Sequence, residues 1–142
     1  MTIAAILEER DIRIISVDPE MEVRAVVTLL AAERIGAVPV VEEGRVVGIL
    51  SERDIIRGLA AEGAALLDRR AGDVMTSPVI SVEPELEPLH GLGLMTRQRV
   101  RHLPVMRGEA MIGFVSIGDL VKARIQTIER EAEAMRVYIQ TA

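Results

Sequence analysis

The sequence predicts a mixed α/β (α+β) fold in which two β-α-β-β-α repeats pack as a pseudo-twofold pair, followed by a long C-terminal helix. Residues 14–57 recur as residues 79–122 at a constant offset of 65, and 13 of the 44 aligned positions are identical. Within each copy, short apolar runs alternate with stretches of helical periodicity, which is typical of helices covering a small sheet. Two copies are too few for a solenoid, so the duplication favours a pair of repeats packed together.

Each repeat opens with a short apolar run, predicted as a strand over residues 14–17 and 79–82. An acidic residue, Pro and Glu follow, and we expect the Pro at the first helical position behind an acidic cap. The first helix, over residues 20–34, has its apolar residues on one stripe. Its counterpart over residues 85–99 is weaker because Pro88, Gly91 and Gly93 interrupt it.

The second half of each repeat predicts a β-hairpin followed by a helix. AVPVV and VVGIL flank the turn EEGR in the first copy, and HLPVM and MIGFV flank RGEA in the second. These runs are apolar throughout, which favours strands buried largely on both faces. A helix is expected to follow from Ser51 in one copy and from Ser116 in the other. Between the copies, the AGDVM stretch predicts a short helix.

The composition excludes several classes of function. Aromatic residues make up 1% of the chain against 49% hydrophobic residues, so the core must be aliphatic and base stacking on aromatic side chains is disfavoured. The net charge of −5 gives no general attraction to phosphate backbones or anionic lipid. Cysteine is absent, and no apolar stretch approaches the roughly 20 residues of a membrane span. We therefore expect a cytoplasmic protein with no nucleic-acid partner and no membrane anchoring.

The strand-to-helix junctions carry residues that suit a binding site. Gly48-Ile-Leu-Ser51-Glu-Arg53-Asp54 in the first copy corresponds to Gly113-Phe-Val-Ser116-Ile-Gly-Asp119 in the second. On one interpretation, Ser and Asp form a capping box at the helix N-terminus. On the other, the free amides of that N-terminus bind a phosphate while the carboxylate accepts both hydroxyls of a ribose. Arg53 can pair with the phosphate through its planar guanidinium, whereas the second copy has Gly118 there.

The pattern G-h-h-S-x-x-D (h, hydrophobic), preceded by an h-P-V strand, resembles the CBS domain. Both copies match in order and spacing, and the resemblance covers essentially residues 1–125 and extends to small bacterial stand-alone CBS-pair proteins. It implies one repeat with an N-terminal helix over residues 1–66, a second over 67–125, and a helical extension over 126–142. It also implies AMP, ADP, ATP or NAD as a regulatory ligand bound between the repeats. No metal is predicted.

The resemblance implies roles for individual side chains. Asp54 and Asp119 would hold ribose hydroxyls, while Ser51 and Ser116 would face phosphate or ribose. The adenine would be hydrogen-bonded and sandwiched by the backbone near Ala37–Pro39 and His102–Pro104 and by apolar residues such as Ile15 and Ile80.

The two copies differ in charge where the hairpin begins. Arg101 and His102 stand where the first copy has Gly36 and Ala37. These residues belong either to a solvated helix end, where the C-terminal dipole favours cations, or to a nucleotide site that the first copy does not match. On the second interpretation, the two sites bind unequally.

The C-terminal segment over residues 117–140 predicts one long helix with a heptad seam. Such a helix either lies on its own globule or pairs across a homodimer, and we expect the dimer. The seam comprises Val121, Ile125, Ile128, Ala132, Met135 and Ile139.

The leading functional hypothesis is a regulatory nucleotide sensor that signals to an unknown effector by shifting a conformational equilibrium. The alternative is a constitutive protein-interaction scaffold whose nucleotide site no longer binds a ligand. The sequence contains no P-loop, GxGxxG, HExxH or GxSxG motif, so we expect no catalysis.

Overall fold

The computed structural model describes residues 1–10 and 13–141, which form two compact units. The first-repeat unit comprises Arg13–Ile80 with the short segment Gly108–Met111, and the second-repeat unit comprises residues 1–10, Ser81–Arg107 and residues 112–141. In chain order the elements are α1 (Ile3–Glu9), α2 (Val23–Glu33), β1 (Ala37–Glu42), β2 (Arg45–Ser51), α3 (Glu52–Glu62), a 3-10 helix (Gly63–Asp68), α4 (Ala71–Val74), α5 (Pro88–Gln98), β3 (His102–Arg107), β4 (Ala110–Ser116) and α6 (Ile117–Thr141).

Each repeat contributes one two-stranded sheet, β1 with β2 and β3 with β4. The β1–β2 pair is antiparallel and places Ala37 opposite Ser51, with its turn at Glu43 and Gly44. Both turn residues have positive φ, which favours glycine and is common in tight hairpin turns. The predicted mixed fold, with two repeats and a long C-terminal helix, is therefore confirmed, and the predicted AGDVM helix is α4.

An aliphatic core holds each unit together. In the first-repeat unit, one stripe of α2 packs with the inner face of the hairpin, and Val23, Val26 and Leu50 are fully shielded from solvent. Each such side chain contributes about 1.5–3 kcal/mol relative to an exposed one. Leu103, Val105, Val115 and Leu120 are equally shielded in the second-repeat unit.

Burial of the strands differs from the sequence-based expectation. The first four residues of β1 are buried, as predicted, but β2 and β4 are only partly covered along one face. Ile49 and Phe114 lie on the partly covered faces. Strands β1 and β3 are covered on both faces over most of their length, whereas β2 and β4 leave one face partly accessible beside the strand-to-helix junction.

The predicted opening strands over residues 14–17 and 79–82 are each reduced to a single parallel bridge. Val17 bridges Val40, and Val82 bridges Val105. In the first repeat the chain turns at once, because the Asp18 carboxylate accepts a hydrogen bond from the Glu20 amide at 2.8 Å. That turn ends the pairing before a strand can extend.

The proline positions in the helices also differ from prediction. Pro19 lies in the turn, and α2 begins four residues later at Val23, behind Glu22. Pro88 occupies the first turn of α5, where its missing N–H costs nothing, so it begins the helix instead of interrupting it. Gly91 allows α5 to approach α6 closely, since a Cβ there would lie 2.8 Å from Leu120 Cδ1.

Helix α1 belongs to the second-repeat unit, although in sequence it precedes the first repeat. The Ile3 amide donates to the Leu86 carbonyl at 2.9 Å, and the Ala4 amide donates to the Pro84 carbonyl at 2.8 Å.

Helix α6 is continuous from Ile117 to Thr141, so the expected domain boundary at residue 126 falls inside it. Ala142, the last residue of that expected extension, lies outside the described residues. None of the helices described here is long and apolar enough to cross a membrane.

Candidate functional site

The first junction is a complete capping box. The Ser51 hydroxyl accepts from the Asp54 amide at 3.2 Å, and Asp54 Oδ2 accepts from the Ser51 amide at 3.0 Å. The same oxygen also accepts from the Ser51 hydroxyl at 3.1 Å. These contacts fix the start of α3 and hold the Asp54 carboxylate in one orientation. The capping interpretation of this motif is therefore confirmed for the first repeat.

The other Asp54 oxygen faces a residue that the sequence did not single out. Asp54 Oδ1 accepts from the Thr76 hydroxyl at 2.8 Å. Thr76 is held beside β2 by two backbone hydrogen bonds with Ile49, of 2.8 and 3.0 Å. The repeat alignment starts at residues 14 and 79, so Thr76 lies outside it. The one sequence signal for Thr76 is its position directly after the predicted AGDVM helix.

The second junction repeats this arrangement with a different partner. Asp119 Oδ2 accepts from the Ser116 amide at 2.8 Å, and the Ser116 hydroxyl accepts from the Asp119 amide at 3.2 Å. Asp119 Oδ1 forms an ion pair with the guanidinium of Arg10, which directly follows α1. No motif or periodicity in the sequence indicated Arg10, because its position depends on α1 packing with the second repeat.

The motif glycines explain how these outside segments reach the aspartates. A Cβ on Gly48 would lie 2.7 Å from Met75 Cγ, and a Cβ on Gly113 would lie 2.6 Å from Leu7 Cδ1. A Cβ at either position would force the Met75 or Leu7 side chain to shift, so glycine favours this close approach of the segment to the strand. Each glycine therefore admits the segment that carries the second partner of the aspartate, Thr76 in one repeat and Arg10 in the other.

The helix N-termini offer fewer amides for a phosphate than the sequence suggested. The first amide of α3, that of Glu52, donates to the Gly36 carbonyl at 2.9 Å, and the third donates to Ser51. In α6, the Ile117 amide donates to the Arg101 carbonyl at 2.8 Å, and the third donates to Ser116. Because these amides are already bonded within the protein, side-chain cations gain importance for any phosphate bound here.

The structure brings some of the other predicted residues to the junctions. Ala37 is buried opposite Ser51, and Arg53 is half-buried in the first turn of α3. The Pro39 and Pro104 carbonyls each accept a backbone hydrogen bond of 3.0 Å, from Val17 and Val82. Ile15 packs against the core of its unit, and Ile80 is partly buried.

The second repeat carries an aromatic pair that the first lacks. The rings of His102 and Phe114 stack with centroids 5.6 Å apart and planes inclined by 14°. The aligned residues of the first repeat are Ala37 and Ile49, and the sequence reasoning missed Phe114. Arg101, next to His102, has an exposed side chain. Within residues 1–10 and 13–141, no three His, Asp or Glu side chains cluster closely enough to hold a metal ion.

Two hairpin-and-helix repeats, each with a Ser–Asp junction, define the class of protein. A family model of the CBS domain matches twice, over residues 9–61 and 71–126. The chain belongs to the CBS-domain family and carries the domain in tandem.

Individual relatives agree with this assignment. The CBS domain-containing protein CBSX3 of Arabidopsis thaliana, a mitochondrial protein, is 37% identical over 116 residues. That match covers 78% of this chain and 56% of the relative, so the chain spans little more than half of that relative's length. A solved CBS-domain protein from Burkholderia ambifaria MC40-6, provisionally named for signal transduction, is 36% identical with a TM-score of 0.84, over 89% of this chain and 95% of that one.

A more distant structure has been solved with ligands. The CBS domain pair of protein MJ0100, in complex with 5′-methylthioadenosine and S-adenosyl-L-methionine, has a TM-score of 0.78 over 89% of this chain and 98% of that one. At 21% identity, this likeness shows the fold alone.

Proposed function

We propose that this chain is a regulatory module that binds an adenine nucleotide (AMP, ADP, ATP or NAD) at the Ser–Asp junction of each repeat. It carries out no catalysis and acts on an effector through its conformation. Ser51 and Asp54 serve the first site, and Ser116 and Asp119 serve the second. Arg53 in the first site and Arg101 in the second supply positive charge toward the phosphate, and His102 stands beside Arg101 in the second site.

The observation that carries this proposal is that the two carboxylate oxygens of each aspartate have different partners. In both repeats Oδ2 is committed to the helix cap, while Oδ1 points to a side chain from a segment outside the hairpin. A carboxylate oxygen has two lone pairs, so Oδ1 can accept from a ribose hydroxyl beside or in place of that side chain. The cap thus orients an acceptor that the helix itself does not need.

The surroundings of the junctions support an adenosine ligand. The His102–Phe114 pair offers an aromatic surface for a base in the second repeat. That the MJ0100 pair, with the same fold, holds two adenosine derivatives supports this ligand class for the present chain.

We propose further that the protein acts as a homodimer through the seam of α6. Val121, Ile125 and Ile128 are 41%, 50% and 49% exposed, so their own unit does not cover them. Leu120 and Ala123, which face the unit, are buried. A row of uncovered aliphatic side chains at heptad spacing is typical of a helix that pairs with a second copy. Because α6 starts at the Asp119 junction, ligand binding there acts directly on the dimer-forming helix.

A thermal-shift panel tests the proposed ligand class. We expect at least one of AMP, ADP, ATP, NAD and S-adenosylmethionine to raise the Tm, because a ligand that binds only the folded state stabilises it. At 100 times the Kd, the stabilisation is about 2.7 kcal/mol.

The matched control is the double variant Asp54→Asn/Asp119→Asn. Asparagine keeps an oxygen for the cap but loses the charge and places an amide where a ribose hydroxyl must donate, so the Tm increase should disappear. An unmoved Tm of the native protein with every ligand would contradict nucleotide binding and favour the scaffold alternative. A shift that persists in the double variant would contradict these two sites.

A further inference from the structure

The two junctions differ in the charge of the side chain that meets the outer oxygen of the aspartate. In the first repeat Asp54 Oδ1 accepts from the neutral hydroxyl of Thr76. In the second repeat Asp119 Oδ1 is paired with the cation of Arg10. A ribose hydroxyl approaching Asp119 therefore competes with a guanidinium, which is a stronger partner for a carboxylate than a neutral donor is.

Helix α1 holds Arg10 at this position. Ile3 and Ile6 are buried in the second-repeat unit, and Leu7 packs on Gly113 of the binding motif. Arg10 is the first residue after the helix, with extended backbone (φ −115°, ψ 116°). The backbone is thus anchored one turn away, while the side chain projects from a helix end.

The Arg10 side chain lies on the solvent side of this ion pair. It is 41% exposed, whereas the Asp119 side chain is 16% exposed. Because the ion pair is open to solvent on the arginine side, a ligand that offers the guanidinium a replacement partner can displace it, whereas a ligand without one bears the loss of the ion pair uncompensated. Because α1 keeps the backbone in place, the displaced guanidinium stays within a side-chain length of the site and can pair with a phosphate.

We propose that Arg10 is the residue that makes the second site discriminate between phosphorylated and unphosphorylated adenosine ligands. Without a ligand it occupies Asp119, which opposes binding of a nucleoside. With a nucleotide it exchanges the Asp119 carboxylate for the ligand's phosphate, so only the phosphorylated ligand replaces the ion pair that it breaks. This role rests on the proposed function, because it requires a nucleotide at Asp119.

Titration calorimetry with ATP and adenosine on the full chain tests this role. The Asp54→Asn background removes the first site, so that every titration reports on the second site alone. Arg101 and His102 are the same in all of these variants. We expect Arg10→Ala in this background to lower the ratio of adenosine Kd to ATP Kd about tenfold, with adenosine binding more tightly and ATP more weakly. Arg10→Lys, which keeps the charge, should restore most of the ratio.

Arg107→Ala is the matched control, since Arg107 also lies in the second-repeat unit and pairs with a carboxylate, that of Glu85 at 3.4 Å. It should leave the ratio unchanged. A ratio that Arg10→Ala leaves within twofold, or an equal loss of both ligands, would overturn the role of Arg10 while the proposed function stands. A lysine variant that behaves like the alanine variant would also overturn it. If the Asp54→Asn protein binds neither ligand, the second site itself is absent and both proposals fail there.

Discussion

Replacing Ile125 and Ile128 by glutamate is expected to turn the proposed dimer into a monomer. Both side chains are about half exposed in the chain, so a partner helix has apolar surface left to cover. Covering it contributes on the order of 1 kcal/mol per side chain, and a twofold interface contains four of them. A carboxylate buried there without a partner adds a further cost. The dimer dissociation constant should rise at least about 1,000-fold, equivalent to about 4 kcal/mol, which sedimentation velocity over a concentration series measures.

Gln126→Glu is the matched control, because it adds the same type of charge to the same helix beside the seam. It should sediment as the native protein does. A native protein that remains monomeric at the highest concentration, or a double glutamate variant that still dimerises, would contradict pairing through α6. The first outcome would leave the exposed seam without a function in self-association.

Truncating Leu103 to alanine is expected to lower the free energy of unfolding by about 3 kcal/mol. Leu103 lies in β3 with no exposed surface, so the substitution removes three buried carbons and leaves a cavity that the neighbouring strands fill only in part. The loss is large against the 5–15 kcal/mol by which most domains are stable. Urea denaturation followed by circular dichroism measures the difference.

The control for this prediction is Ile112→Ala in the adjacent strand β4. Ile112 is 38% exposed, and its truncation removes a similar number of carbons. We expect a loss of about 1 kcal/mol, because solvent already reaches that side chain and less apolar surface is uncovered. Equal losses for the two variants would show that the buried face of the β3–β4 hairpin has been assigned to the wrong side.

The repeat made most of the fold predictable from the sequence. Apolar runs of uniform length placed the four hairpin strands to within two residues, and the Ser–Asp spacing located the starts of α3 and α6. The predicted opening strands are too long, because the apolar run at residues 14–17 indicates that the segment is buried but does not indicate that its backbone pairs with a neighbouring strand. Helix propensity alone counts Pro88 as an interruption, although at the first turn of a helix proline is favoured.

The site was predictable only where its residues are close in sequence. Ser51 with Asp54, and Ser116 with Asp119, lie three residues apart and follow a local capping rule. Thr76 and Arg10 approach these aspartates from segments more than 20 residues away in sequence, through packing on a glycine. Such contacts depend on which repeat a segment packs against, which local sequence patterns do not specify.

We propose that each repeat holds one nucleotide at its aspartate. Calorimetric titration of the ligand that gives the largest thermal shift tests it through stoichiometry, with the native protein and the variants Asp54→Asn, Asp119→Asn and their combination. We predict two sites per chain of unequal affinity in the native protein, one in each single variant and none in the double variant. A native protein that binds no nucleotide, or a stoichiometry that these substitutions leave unchanged, would contradict the claim.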